Sequence, residues 1–254
     1  MPEAGERPLS LAWIGHSTVF IETDGVRLLT DPLLRPRVAH LRRVTEPPED
    51  SIQVDAILVS HVHHDHLDMR SLDRVRSPRV VVPTGARRLL ERRGFDDVIE
   101  LGVGEEASIG PVTVVGTHAD HDARRLPFSA PIPSLGYLIR GTARVYFAGD
   151  SEIFGAMREL APGLDVALLP VWGWGPKLGP GHLDPHGAAE ALRLLRPRVA
   201  IPIHWGTYRR LGMTSKPMAL REPAAQFARY AAELAPEVEV RILAPGERLD
   251  VPPC

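Results

Sequence analysis

Four histidines and an aspartate fall within six residues, His61-Val62-His63-His64-Asp65-His66, directly after the apolar run 54–60. That density constrains the fold, because a short buried strand must deliver the segment to a place where imidazoles and a carboxylate converge. On extended backbone, side chains at i and i+2 point to the same side, so His61 and His63 can share one cation. Asp65 and His66 follow where a turn into a helix aims them at a second cation close by, and the spacing therefore supports two adjacent metals. The competing reading, a polar histidine-rich turn, does not account for the strand before it or for the further ligands found later in the chain. His64 fits neither pair and reads as a spacer or as a group behind the ligands.

The rest of the composition narrows the chemistry. The chain has 11 histidines but one cysteine, Cys254, so an intrachain disulfide and a thiolate cluster are both excluded. Any metal must be held by nitrogen and oxygen. The 30 basic residues are balanced by 32 acidic ones, which gives no electrostatic surface for nucleic acid. No window approaches the ~18 consecutive apolar residues of a membrane span, and the first ten residues lack the apolar core of a secretion signal, so the expected location is the cytoplasm. With 254 residues and no repeat or long linker, one domain over residues 1–254 is expected.

Apolar and β-branched runs predict strands over 9–14, 18–22 and 26–30, with Asp24-Gly25 as the hairpin turn between the last two. The run 54–60 is too short for a helix and reads as a buried strand. Similar runs occupy 80–82, 112–115, 135–139, 145–148, 166–169 and 199–203. Helical spacing is seen around 86–92, stopped by Gly94, and after Asp184, which can cap a helix with Pro185 at its first position and Pro197 beyond its end. Pro223 is expected to open a third helix that ends before Pro236. Strands first, then strands alternating with helices, predict a layered α/β architecture.

Further ligand types stand at strand ends: His121 after 112–115, Asp150 after 145–148 and His204 after 199–203. A lone histidine there is usually structural, but α/β sheets gather functional groups at one edge, and three such groups repeat the placement of the first cluster. His118 and His121 compete for one role on pattern alone.

His61-Val62-His63-His64-Asp65-His66 matches the HxHxDH signature of the metallo-β-lactamase fold superfamily, and the later His, Asp and His fall in the superfamily's order. Trp13-Ile14-Gly15-His16-Ser17-Thr18, Thr30-Asp31-Pro32, Gly181-His182-Leu183-Asp184-Pro185 and Ile203-His204-Trp205-Gly206-Thr207 resemble the branch containing N-acyl-phosphatidylethanolamine phospholipase D and the ascorbate-6-phosphate lactonases. The resemblance implies a four-layer αββα sandwich with two divalent cations at one edge of its sheets. It implies that His61, His63 and His121 hold one cation, that Asp65, His66 and His204 hold the other, and that Asp150 bridges them. The segment Ala119-Asp120-His121-Asp122 followed by Arg124-Arg125 resembles the one bearing the family ligand, which favours His121 over His118.

Such a ligand set suits zinc first, with manganese or iron as alternatives, over magnesium or calcium. Two cations about 3.5 to 4 Å apart can share a hydroxide as nucleophile without a serine or cysteine. Asp65 is then placed to orient that hydroxide. His182, between a glycine-rich loop and a helix start, can donate a proton to a leaving group; a plain packing role at the helix entry is the alternative. Asp31 and His16 read as groups that orient ligands from behind, although His16 could equally tie a hairpin. Trp172 and Trp174 could line the mouth of the site, and Arg124 or Arg125 could grip a phosphate. The expected activity is cleavage of a phosphodiester in a small or lipid-derived molecule. A lactonase is the rival within hydrolysis, and an RNA nuclease or a metal-dependent redox enzyme the rivals of other classes.

Overall fold

The computed structural model describes residues 9–46, 48, 52–77, 79–122, 124, 131–173, 178–213 and 217–252. Two seven-stranded sheets form its centre. In the first the order is Val98–Leu101, Val80–Pro83, Ala56–Leu58, Val26–Thr30, Thr18–Thr23, Leu9–Gly15 and Arg248–Val251. In the second it is Glu106–Ile109, Val112–His118, Leu135–Arg140, Arg144–Phe147, Val166–Pro170, Val199–Ile203 and Glu239–Val240.

Side-chain alternation explains how the layers stack. Along Ala56–Leu58, Ala56 and Leu58 enter the core between the sheets, while Ile57 enters a second core on the outer face. Leu28 and Leu29 divide the same way, as do Val81 and its neighbours Val80 and Val82. These strands have no solvated face, which is why they read as continuous apolar runs. Each fully buried side chain of this kind contributes about 1.5–3 kcal/mol. The outer core of the first sheet is closed by the short helices Met69–Leu72 and Arg87–Glu91, through Leu72 and Leu90. Helices Pro185–Leu195 and Pro217–Leu234 cover the second sheet, with Leu192, Leu195, Phe227 and Ala231 facing inward. The result is the four-layer αββα sandwich.

Local signals behave as their chemistry dictates. Asp24 and Gly25 adopt φ of 51° and 77°, the paired left-handed conformation of a two-residue hairpin turn. Asp184 caps its helix by accepting from Gly187 N at 2.7 Å, and Pro185 occupies the first turn. Pro223, expected to start a helix, instead lies inside one that begins at Pro217. Packing of Ala224, Phe227 and Ala231 in the core holds the helix together across the proline, although its missing N–H leaves the carbonyl four residues earlier without a helical partner.

Strand direction is what places the site. Leu9–Gly15 and Val26–Thr30 are both antiparallel to the strand between them, so they run the same way, and Ala56–Leu58 is parallel to Val26–Thr30. In the second sheet Val112–His118, Arg144–Phe147, Val166–Pro170 and Val199–Ile203 likewise share one direction. The segments leaving these strands therefore emerge together at one edge. A small third sheet, Arg37–Val38, Leu41–Arg43 and Tyr208–Arg210, lies over that edge.

Candidate metal centre

The groups of the site come from the ends of six strands. His16 follows Leu9–Gly15, Asp31 follows Val26–Thr30, and His61, His63, Asp65 and His66 follow Ala56–Leu58. From the second sheet come His121, Asp150 and His204. His16, Asp31 and His204 have φ of 55°, 32° and 64°, a region that residues other than glycine seldom occupy. Strain of this kind persists only where the surroundings hold it, and here it aims three side chains into one place.

The imidazoles form two groups. His61 Nε2 and His121 Nε2 each lie 3.1 Å from His63 Nδ1. Three nitrogens about 2.0–2.1 Å from one tetrahedral zinc stand about 3.3 Å apart, close to this spacing. In the second group His66 Nε2 is 3.3 Å from His204 Nε2, with Asp65 Oδ2 at 3.8 Å and 3.9 Å from them. Asp150 reaches both groups: its Oδ2 is 3.2 Å from His66 Nε2 and 4.0 Å from His61 Nε2, and its Oδ1 is 3.4 Å from His204 Nε2.

The hydrogen bonds behind the rings fix which nitrogen faces inward. His121 Nδ1 donates to Gly181 O at 2.8 Å, and His204 Nδ1 donates to Trp172 O at 2.5 Å. Ser60 Oγ donates to Asp31 Oδ2 at 2.5 Å and so accepts from His61 Nδ1 at 2.9 Å. His66 Nδ1 donates to the same Asp31 oxygen at 2.7 Å. With their protons committed outward, His61, His121 and His204 point lone pairs at one another's groups. Asp150 Oδ1 is buried with no hydrogen-bond donor among the described residues. Acceptors converging on acceptors in a dry site repel unless cations stand between them, so this donor set fits divalent metal of the kind bound by imidazole and carboxylate.

The titration behaviour agrees. Burial, reinforced by charge on neighbouring histidines, holds His61 well below the ordinary imidazole value. Burial likewise lowers His63 to about 4 and His204 to about 3, and His121 is lowered by the same cause. These rings are neutral and ready to ligate. His66 differs: burial opposes its charge, but Asp150, Asp31 and Asp65 outweigh that and raise it well above the usual value. Burial also opposes the charge of Asp150 and Asp65, yet the histidines around them hold both well below the usual carboxylate range.

Other predicted residues fall as follows. His16 Nε2 lies 3.2 Å from Asp65 Oδ2, while its backbone is fixed by Thr207 Oγ1 and by His204 N, so it holds the carboxylate from behind. His182 Nδ1 faces the carbonyls of Gly179 and Pro180 at 3.2 and 3.1 Å, leaving Nε2 at 3.4 Å from Asp150 Oδ2. His118 is exposed and packs edge-on against Phe154, away from both groups. Trp172 serves through its carbonyl, with its ring against the core rather than in the cavity wall. Arg124 is exposed and pairs with Asp122 at 3.4 Å, outside the cavity. Trp174 and Arg125 lie outside the described residues.

The metal centre opens into a cavity of about 390 Å³, walled by Val38, His40, Leu41, His64, Leu178 and His182. Its outer wall is the hairpin of the small sheet, anchored by Arg43. That guanidinium is buried and donates to the carbonyls of Ile14, Leu33 and Glu46 and to Tyr208 Oη. Neither Arg43 nor Ser60 stands out in the sequence as a group that builds the site. A serine closing a buried apolar run, one residue before a histidine ligand type, was the available signal for the second. Gly181 was also overlooked: at φ +80° it faces His121, and a Cβ there would stand 2.7 Å from His121 Nδ1.

Residues 26–205 match the family described as Beta-lactamase superfamily domain. A UPF0173 metal-dependent hydrolase of Rubrobacter xylanophilus is 31% identical over 255 residues, covering 94% of this chain and 95% of its own. N-acyl-phosphatidylethanolamine-hydrolyzing phospholipase D 1 of Caenorhabditis elegans is 30% identical over 232 residues, 80% of this chain and 65% of the phospholipase. Among solved structures, the metallo hydrolase Igni18 of Ignicoccus hospitalis superposes with a TM-score of 0.71 at 24% identity, over 96% of this chain and 98% of its own.

Proposed function

The chain belongs to the β-lactamase superfamily and is a metal-dependent hydrolase, and from that premise we propose that it cleaves a phosphodiester of a small or lipid-derived molecule in the cytoplasm, using two divalent cations, zinc first. The observation that carries the two-metal reading is Asp150, which spans both imidazole groups while its Oδ1 is buried without a donor among the described residues. His61, His63 and His121 would hold one cation and Asp65, His66 and His204 the other, with Asp150 between them. Cations held there supply an activated water and an electrophilic seat for a phosphoryl oxygen.

The chain's own groups do the rest. Asp65 stays ionised, steadied by His16, and is oriented to accept a hydrogen bond from the attacking water. His182 is pushed up to about 8: burial opposes its charge, but the hydrogen bond and charge of Asp150 prevail. With Nδ1 committed to backbone carbonyls, its Nε2 faces Asp150 Oδ2 at 3.4 Å on the cavity wall, from where it would pass a proton to the leaving oxygen. Val38, Leu41 and Leu178 offer an apolar wall to the substrate's remainder. The phospholipase relative, which hydrolyses N-acyl-phosphatidylethanolamine by its name, supports a phosphodiester over a lactone.

The test is turnover of bis-p-nitrophenyl phosphate and of a lactone panel by zinc- or manganese-loaded protein, with Asp150→Ala as control. Phosphodiester cleavage lost in the control is expected. Lactone opening alone would move the assignment to a lactonase, and full turnover by Asp150→Ala would remove the bridging role.

A further inference from the structure

His182 stands on a segment, residues 178–184, that belongs to no strand or helix. Its ring is not tied to the sheets by Nδ1, which faces only the segment's own carbonyls, Gly179 O and Pro180 O, so the ring goes where the segment goes. The far end of the segment is fixed by buried Leu183 and by Asp184, the helix cap. Nearer the cavity the anchors converge on one residue. Among the described residues, the backbone groups of 178–182 that hydrogen-bond to the rest of the protein are both on Gly181: its O accepts from His121 Nδ1 at 2.8 Å, and its N donates to Glu152 Oε1 at 2.7 Å.

Glu152 is exposed and is not part of the cavity wall, and by sequence it is a solvated acid. Its backbone is nevertheless firmly held. The N–H donates to Asp120 O at 3.1 Å, the carbonyl accepts from Ser151 Oγ at 2.7 Å, and the same hydroxyl accepts from Asp120 N at 2.9 Å. The glutamate thus starts from backbone tied to the segments of both Asp150 and His121, and its carboxylate reaches across to the segment of His182. An N–H on a carboxylate is a charge-assisted bond, about twice as strong as a neutral one.

We propose that Glu152 is a positioning residue for proton delivery: by holding Gly181 N it fixes where the next residue, His182, presents Nε2 against Asp150 and the cavity. This rests on His182 as the proton donor in phosphodiester cleavage. In that step the oxygen of the attacking water bonds to phosphorus and the bond to the leaving oxygen breaks. The leaving oxygen takes the proton of His182 Nε2, and the ring is restored from solvent, which receives the proton lost by the water. Without Glu152 the segment keeps its tie to His121 but loses its second one, so the donor wanders while the zinc ligands stay in place. A basic leaving oxygen needs the proton as the bond breaks; p-nitrophenolate departs without it.

The experiment compares kcat of zinc-loaded protein on methyl phenyl phosphate and methyl p-nitrophenyl phosphate, with exchange of the Gly181 amide proton followed by NMR in the metal-free protein. Glu152→Ala should lower kcat on the phenyl ester by about 10- to 100-fold, leave the p-nitrophenyl ester within about threefold, keep native zinc content and speed exchange at Gly181. Glu152→Gln retains an oxygen acceptor and should restore both the phenyl ester and the slow exchange. Equal loss on the two esters, a Gln variant as impaired as the Ala variant, or unchanged exchange at Gly181 overturns the role of Glu152. His182→Ala is the reference: loss on the phenyl ester alone supports the donor, whereas equal loss on both esters refutes His182 as donor and the proposal with it. No turnover of either ester by native protein refutes the phosphodiester reading itself.

Discussion

Loading the metal-free protein at pH 6 should release far fewer protons than its histidine content suggests. Five imidazoles are proposed as ligands, and five ordinary ones with a pKa near 6.5 would each be about three-quarters protonated at that pH, giving up about four protons in all. In this chain burial holds His61 well below the usual value, lowers His121, and puts His63 at about 4 and His204 at about 3, so these rings carry far less of that charge. Only His66, surrounded by Asp31, Asp65 and Asp150, carries a proton that an ion must displace. His182, held near 8 by Asp150, adds at most one more when that carboxylate turns to a cation. A water on the ions, with a pKa of about 7, keeps most of its proton at pH 6. The expected release is therefore between one and two protons per chain.

The sign follows from the same groups. Protons compete with metal, so affinity falls as pH falls. The zinc Kd should rise about ten- to hundredfold per unit between pH 7 and 5, where one to two protons are exchanged, and more steeply toward pH 4 as His63 begins to titrate. Calorimetric titration in buffers of different ionisation enthalpy gives the proton count directly. Four or more protons at pH 6 would refute the argument that burial prepares these rings.

Three further outcomes test the remaining assignments. His121→Ala should remove an ion by metal analysis, whereas His118→Ala, on an exposed ring packed against Phe154, should leave metal content and thermal midpoint unchanged. Gly181→Ala places a Cβ 2.7 Å from His121 Nδ1 on a left-handed backbone, and is expected to weaken zinc binding by about 10- to 100-fold in a chelator competition. His182→Ala should lower kcat by about 10²- to 10⁴-fold while zinc content stays the same; loss of an ion instead would make His182 a ligand.

The ligand cluster was legible because its signal is local: a short apolar run sets one strand, and the i, i+2 spacing of His61 and His63 is read on that strand alone. The long central strands were legible for the same reason. What escaped was set by partners far away in the chain. Arg248–Val251 pairs with Leu9–Gly15, and its charged sequence does not announce that partner at the other end of the chain. The hairpin over the cavity consists of two- and three-residue strands rich in arginine, too short for a period and stabilised by pairing with Tyr208–Arg210. Arg43 reads as a solvated charge until the carbonyls of Ile14, Leu33 and Glu46 surround it. Trp172 shows the same limit, since its contribution is a carbonyl that no residue type encodes.

The shared direction of the ligand-bearing strands also divides the molecule into an edge that is committed and an edge that is free. The opposite edge includes the turns at Asp24-Gly25, Gly110-Pro111 and Gly141-Thr142, with Asp24 accepting from Thr142 N and Oγ1 at 2.7 and 2.6 Å to clip the two sheets together. Of these, Gly110-Pro111 stands outside the clip and far from every group of the centre. An affinity tag, a fluorophore or a whole fusion partner inserted there would ride on the fold without touching the hairpin, the histidines or the cavity mouth, which makes that turn the natural handle for immobilising the protein.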